Sequence, residues 1–268
     1  MNLNLRKLLK SMKGGKESLA LSETKKRIIG AAYFGIPFLI FLYLGKYYFL
    51  FFLIFLSIIS LYELLTISEN KNFFYLPSVL IPFFIRKGLS LILLLLYTFI
   101  LFLIDKKGKE FLEKNILYPF TFMVITSIPL SFFYMIREEK GFYISLIILI
   151  SIWIDDVSAY FLGKKFGKRR IVPKISPGKS YEGLIGSLIV VSIFLFSSSL
   201  IFGFFSPLKS ILISAIIVLL SFLGDIFESL IKRKFNVKDS GNIIMGHGGI
   251  MDRIDSFIFT IPVLFYLL

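Results

Sequence analysis

Long apolar runs, each cut by a short polar interval, fill the chain from residue 28 onward. Runs of this length predict helices that cross a bilayer, each needing about 20 apolar residues. Nine are expected, over 28–44, 46–67, 73–85, 88–104, 115–136, 141–162, 183–205, 208–230 and 254–268. The third is short and carries Pro77 and Pro82, so it crosses tilted, breaks at a proline or re-enters. The expected fold class is all-α: a polytopic integral membrane protein with about nine transmembrane helices and no room for a separate soluble domain. Region 1–140 holds a basic N-terminal tail and the first five spans. Region 141–268 holds the other spans and two long loops, 163–182 and 231–253.

Composition agrees with this pattern: 56% of the 268 residues are hydrophobic, 32 of them Phe, and the mean hydropathy is +0.82. Soluble domains average about 45–50% apolar. The polar intervals set an orientation. Nine crossings place 25 of the 31 Lys and Arg on the side of the N-terminus and 6 on the other. The positive-inside rule then puts the N-terminus and both long loops in the cytoplasm. The tail does not read as a cleavable signal, because charge interrupts its apolar positions. Leu3, Leu5, Leu8, Leu9 and Met12 against Arg6, Lys7, Lys10 and Lys13 suit either an amphipathic helix on an anionic surface or a frayed basic tail. The net charge of +14 is read as topology and anionic lipid, not as nucleic-acid binding.

The chain has no cysteine and one histidine. Disulfides, iron–sulfur clusters and thiolate sites are excluded, and a structural zinc site has too few ligands. A metal here would need oxygen donors, which favours Mg²⁺, Mn²⁺ or Ca²⁺.

Carboxylates within a span are costly and mark a cavity or a function. Glu63 lies near the cytoplasmic end of the second span, Asp155 and Asp156 about two turns from that end of the sixth, and Asp225 and Glu228 near that end of the eighth. Asp252 and Asp255 open the ninth from the same side. Each alone has a structural explanation: Glu63 could pair with a loop lysine, and Asp255 could cap a helix before Ser256. Together they converge at one depth beneath the most basic loops. Acid below and base above suits a polyphosphate with its divalent cations. The loop GKKFGKRRIVPKISPGKS adds seven basic residues, Lys179 among them, with glycines that admit an anion. It is not a P-loop, since Pro173 stands where the first glycine belongs and no strand precedes it. In GHGGIMDRID the glycines suit a tight turn whose N–H groups face phosphate. His247 is there a loop residue or a base, and Arg253 a phosphate clamp or a partner of Asp252.

At these positions the sequence resembles the phosphatidate cytidylyltransferases, or CDP-diacylglycerol synthases. Their signature S-x-x-K-R, K-D, P-G-H-G-G, D-R and D is matched by SLIKRKFNVKDSGNIIMGHGGIMDRID, Ser229 to Asp255, with Met245 in place of the usual proline. WIDDVSAYFLGKKFGK and PKISPGKSYEGLIG are similar to two further family segments, with Asp156 in the recurring acidic position. The resemblance implies that CTP and phosphatidic acid give CDP-diacylglycerol and pyrophosphate, with Mg²⁺, in a homodimeric enzyme of the cytoplasmic membrane whose site faces the cytoplasm. It further implies that Asp225, Asp252, Lys232 and Arg253 serve catalysis. Lys179, Ser176, Arg233, Lys238, His247, Gly248 and Gly249 would bind substrate, and Asp225, Asp252, Asp156 and Glu228 would hold metal. The rival class is a secondary transporter of an anionic solute, which would place its charges near the midplane and show paired repeats. The pattern of the CDP-alcohol phosphotransferases is absent.

Overall fold

The computed structural model describes residues 29–68, 75–84, 121, 123–241, 243 and 248–268. The basic tail, the expected fourth span (88–104), the loop 105–114 and His247 lie outside the described residues. Within them the chain is helical, and one isolated bridge, Arg170 with Ser180, is its nearest approach to a strand. The helices are α1 (Ile29–Leu44), α2 (Lys46–Ile67), α3 (Leu76–Phe84), α4 (Ile128–Phe166), α5 (Tyr181–Phe202), α6 (Pro207–Lys234), α7 (Met251–Ile254) and α8 (Phe257–Leu267). A π-helical turn, Met123–Ser127, leads into α4. Among the described residues four segments are long and apolar enough to cross a membrane: α2, Ile125–Phe166, α5 and α6. Their outer faces expose Phe51, Phe55, Ile193, Leu200 and Leu219, as expected of surface that meets lipid.

α4 joins the end of the expected span 115–136, from residue 128, to the whole of 141–162 in one 39-residue element broken at Gly141 (φ 84, ψ 179). The break folds the chain back. Phe133 and Trp153 both pack on Phe38, with ring centroids 5.9 and 6.4 Å away, whereas a straight helix would hold them about 30 Å apart. Such a backbone angle is open essentially to glycine alone. Gly141→Ala is therefore expected to cost about 1–3 kcal/mol, read as a lower thermal midpoint in detergent.

The corner between α1 and α2 is tied to the same end of the molecule. Arg137 donates through Nε to Leu42 O (2.9 Å) and through Nη2 to Tyr43 O (3.4 Å), placing a cation on the last carbonyls of α1. Lys46 N in turn donates to Glu138 Oε1 at 3.2 Å. Tyr43, Phe142, Tyr143 and Phe204 then run ring to ring across the α1–α2 corner, the Gly141 break and the α5–α6 turn. Three turns assigned from sequence to one side thus share one end of the bundle.

Of the expected span 73–85, nine described residues form α3, with Pro82 inside it. The expected span 254–268 becomes the eleven-residue α8, set off from α7 by a turn at Asp255 and Ser256. The main core gathers Phe38, Phe49, Phe133, Ile152, Phe257 and Ile261 between α1, α2, both arms of α4 and α8. A second cluster, Leu61, Leu64, Tyr75, Val79, Ile125, Met251 and Ile258, seats the end of α2 against α3, α7 and α8.

Candidate active site

Small residues bring the site-bearing helices together. A Cβ on Gly183 would lie 2.8 Å from Ala159 O and 3.1 Å from Gly163 Cα, so α4 and α5 pack backbone to backbone. A Cβ on Gly224 would strike the carbonyl of Asp255, so α6 meets the α7–α8 junction right beside Asp225. Ser180 caps α5 by accepting from Gly183 N (3.2 Å). The preceding loop is closed by Arg170 Nη1 donating to Gly178 O (3.0 Å) and by Glu182, which accepts from Lys168 N (3.0 Å) and Arg169 N (3.2 Å).

These contacts enclose a cavity of about 280 Å³, walled by Asp155 and Asp156 of α4, Ser176 and Lys179 of the loop, Asp225 of α6, and Asp252, Arg253 and Asp255 around α7. Five carboxylates from three parts of the chain thus share one chamber with Lys179 and Arg253. Lys179 forms an ion pair with Asp225. Burial draws the Lys179 ammonium below the ordinary lysine value, against the pull of Asp156, Asp255 and Asp155. The hydroxyl of Ser256 lies 2.8 Å from Asp156 Oδ1 and 3.2 Å from Asp225 Oδ1, so one O–H stands between those two carboxylates.

Behind the cavity, Lys232 joins a sixth acid to Asp252, 2.5 Å from Glu228 Oε2 and 2.6 Å from Asp252 Oδ1. Asp252 Oδ2 accepts from Gly249 N (2.8 Å), Ser240 Oγ (2.9 Å) and Ser240 N (3.1 Å). Burial would raise the Asp252 carboxyl, but the Lys232 ammonium and these donors outweigh it and hold it below the ordinary aspartate value. It is an anion at neutral pH.

The predicted residues fall into three groups. Asp156, Asp225, Asp252, Arg253, Lys179 and Ser176 line the cavity together. Glu228 and Lys232 support it from one side. Arg233 and Lys238 are exposed, and Arg233 Nη1 donates to Val237 O (3.1 Å) at the end of α6. The glycine turn differs from expectation. The amides of Gly249, Ile250 and Met251 face carboxylates, Asp252 for the first and Glu63 for the other two, not an open anion site. Ile250 is the N-cap and Met251 the first residue of α7; their N–H groups have no carbonyl partner within the helix, so Glu63 caps them. Glu63 thereby holds backbone where a loop lysine was one expected partner. Ser256 and Ser240 carry no signal in the sequence beyond adjacency to acids.

The donors suit a hard divalent cation, being carboxylate oxygens throughout. Glu228 Oε1 and Asp155 Oδ1 are buried with no hydrogen-bond partner, which leaves acceptor capacity for a cation. Among the described residues no three acidic side chains yet stand at metal-binding spacing. Lys179 pairs with Asp225, and Lys232 with Glu228 and Asp252, so ammonium groups supply positive charge among these acids.

A profile described as the cytidylyltransferase family matches residues 25–268. A phosphatidate cytidylyltransferase of Aquifex aeolicus is 35% identical over 236 residues, 87% of this chain and 86% of that protein. One of Bacillus subtilis is 33% identical over 92% of this chain and 98% of its own length, and one of Thermotoga maritima 35% identical over 77% and 82%. With that match running through every element that lines the cavity, the chain belongs to the cytidylyltransferase family.

Proposed function

We infer that this protein is a phosphatidate cytidylyltransferase, making CDP-diacylglycerol and pyrophosphate from CTP and phosphatidic acid. The observation that carries the reading is the meeting of Asp156, Asp225 and Asp252 with Lys179 and Arg253 in one cavity among apolar helices. The lipid's phosphate monoester is already an oxyanion at neutral pH. One of its oxygens forms a bond to the α-phosphorus of CTP, and the bond from that phosphorus to the β-bridging oxygen breaks. Pyrophosphate leaves with the electron pair, so no proton transfer is required. The main obstacle is repulsion between lipid phosphate and triphosphate.

Asp225 and Asp252, with Asp156 and Glu228 as further ligands or orienters, would hold Mg²⁺. When bound, that ion offsets charge on the phosphoryl groups and the leaving pyrophosphate. Lys179, Lys232 and Arg253 would neutralise phosphate oxygens, and Ser176 offers a hydroxyl on the same wall. Arg233, Lys238 and the Gly248–Gly249 turn would guide the triphosphate in from the exposed rim, with His247 beside them. The finer topology proposed is nine crossings of the cytoplasmic membrane with the cavity facing the cytoplasm, in a homodimer. The 25-to-6 division of basic residues supports that orientation. At such a level CTP arrives from water and the lipid phosphate from the bilayer at head-group depth.

Purified protein in mixed micelles is expected to release pyrophosphate from CTP only when phosphatidic acid is present, and to stop when a chelator removes divalent ions. Release without the lipid would remove the synthase reading.

A further inference from the structure

Glu63 is a carboxylate that the reaction leaves unused. It lies on α2, far from the cavity in sequence, and is only 2% exposed. Burying such a group is costly unless its oxygens are satisfied, and here both are. Oε1 accepts from Ile250 N at 2.9 Å. Oε2 accepts from Met251 N at 3.0 Å and stands 3.2 Å from Ser240 Oγ. The donors all belong to the segment that carries Asp252. The fit leaves no slack: a Cβ on Gly249 would fall on both Glu63 oxygens, and one on Gly241 would come within 2.9 Å of Oε1.

Asp252 is gripped by the neighbouring donors of the same segment. Gly249 N, next to the amide that Glu63 takes, donates to Asp252 Oδ2. The Ser240 hydroxyl lies within reach of Glu63 and Asp252 at once, and its single proton can serve one of them at a time. The amides that lead into α7 are thus divided between two acids: Glu63 takes the pair at 250 and 251, and Gly249 N, just before them, turns to Asp252.

We propose that Glu63 is a positioning residue that clamps the start of α7 through its amides and so fixes where the Asp252 carboxylate stands. The proposal rests on the reading of Asp252 as a cation ligand. Glu63 itself touches neither substrate nor ion. A glutamine in its place would keep the shape but turn an NH₂ group toward a backbone N–H, two donors facing one another.

The test is Mn²⁺ affinity, measured by electron paramagnetic resonance on the full chain in detergent micelles, with no turnover required. Supporting groups behind metal ligands are worth about 10- to 100-fold in metal affinity, and Glu63→Gln is expected to weaken Mn²⁺ binding by that factor. Glu63→Asp, which keeps the charge and withdraws it by one methylene, is expected to fall between the two. Hydrogen exchange at Ile250 and Met251 should quicken in the same order. Wild-type Mn²⁺ affinity in Glu63→Gln overturns the proposal. If that variant does not fold, wild-type affinity in Glu63→Asp overturns it instead. Asp252→Asn separates this from the reading beneath it: if that variant binds Mn²⁺ as wild type does, Asp252 is no ligand and the metal assignment itself fails.

Discussion

Asp225→Asn is expected to abolish CDP-diacylglycerol formation while leaving the protein folded. Asn is nearly the same size, and its carbonyl oxygen can still accept from the Ser256 hydroxyl that reaches Asp225 Oδ1 at 3.2 Å. Gly224 is untouched, so the close approach of α6 to the carbonyl of Asp255 survives. What disappears is the negative charge. Lys179 loses the anion it pairs with, and the proposed divalent cation would lose a donor from the cavity wall. The charge stabilisation that a bound ion supplies is worth several kcal/mol, which at 1.36 kcal/mol per tenfold is a loss on the order of 10³-fold. Product formation in micelles, set beside a thermal melt in the same detergent, separates the two effects. Turnover within a few-fold of wild type would show that Asp225 holds no metal.

The sequence made the acids of this site legible because a charge inside an apolar run has few reasons to be there. Asp156, Asp225 and Asp252 were each placed near one membrane face by reading the direction of their span, and the cavity joins all three. Lys179 follows from the basic loop over the same face, and Ser176 only from the family resemblance. The polar gap before residue 141 marked the turn between two expected spans, and Gly141 is where α4 breaks.

What was not legible depends on contacts between residues far apart in the chain. Ser256 stands between Asp156 and Asp225, 100 and 31 positions away, and nothing local distinguishes it from the many serines in these helices. Glu63 could be read as a buried acid, but that its partners are the amides of Ile250 and Met251, 187 and 188 positions on, needed the packing of α2 against α7. The amides that follow the glycine turn were ambiguous for a related reason. Free N–H groups at a helix start attract any anion, and a pattern of residues does not say whether that anion is a phosphate or a side chain of the same protein.

Lys179→Met is expected to collapse turnover and yet leave divalent-ion binding intact, a combination that distinguishes a phosphate partner from a metal ligand. Lys179 is the loop's cation among five carboxylates of the cavity, paired with Asp225. Its attachment to Asp225 neutralises an acid that a divalent ion would neutralise better. On the proposed reading, the ammonium would turn to a phosphate oxygen once that ion and the triphosphate bind. Removing a single preorganised donor to developing charge costs about 10²–10³-fold in kcat, and Met retains the stem's packing without the charge. Mn²⁺ affinity should stay at or above the wild-type level, because the competitor for Asp225 is gone. Stability should behave in the opposite sense. Breaking a buried pair leaves an uncompensated charge at about 3–5 kcal/mol, discounted here because the Lys179 side chain is 26% exposed. The thermal midpoint is therefore expected to drop in chelator and to recover in Mg²⁺, as the ion takes over the compensation that the ammonium gave. A midpoint that falls equally in both conditions would place Lys179 in packing alone, and a loss of Mn²⁺ affinity would mean that it helps build the cation site.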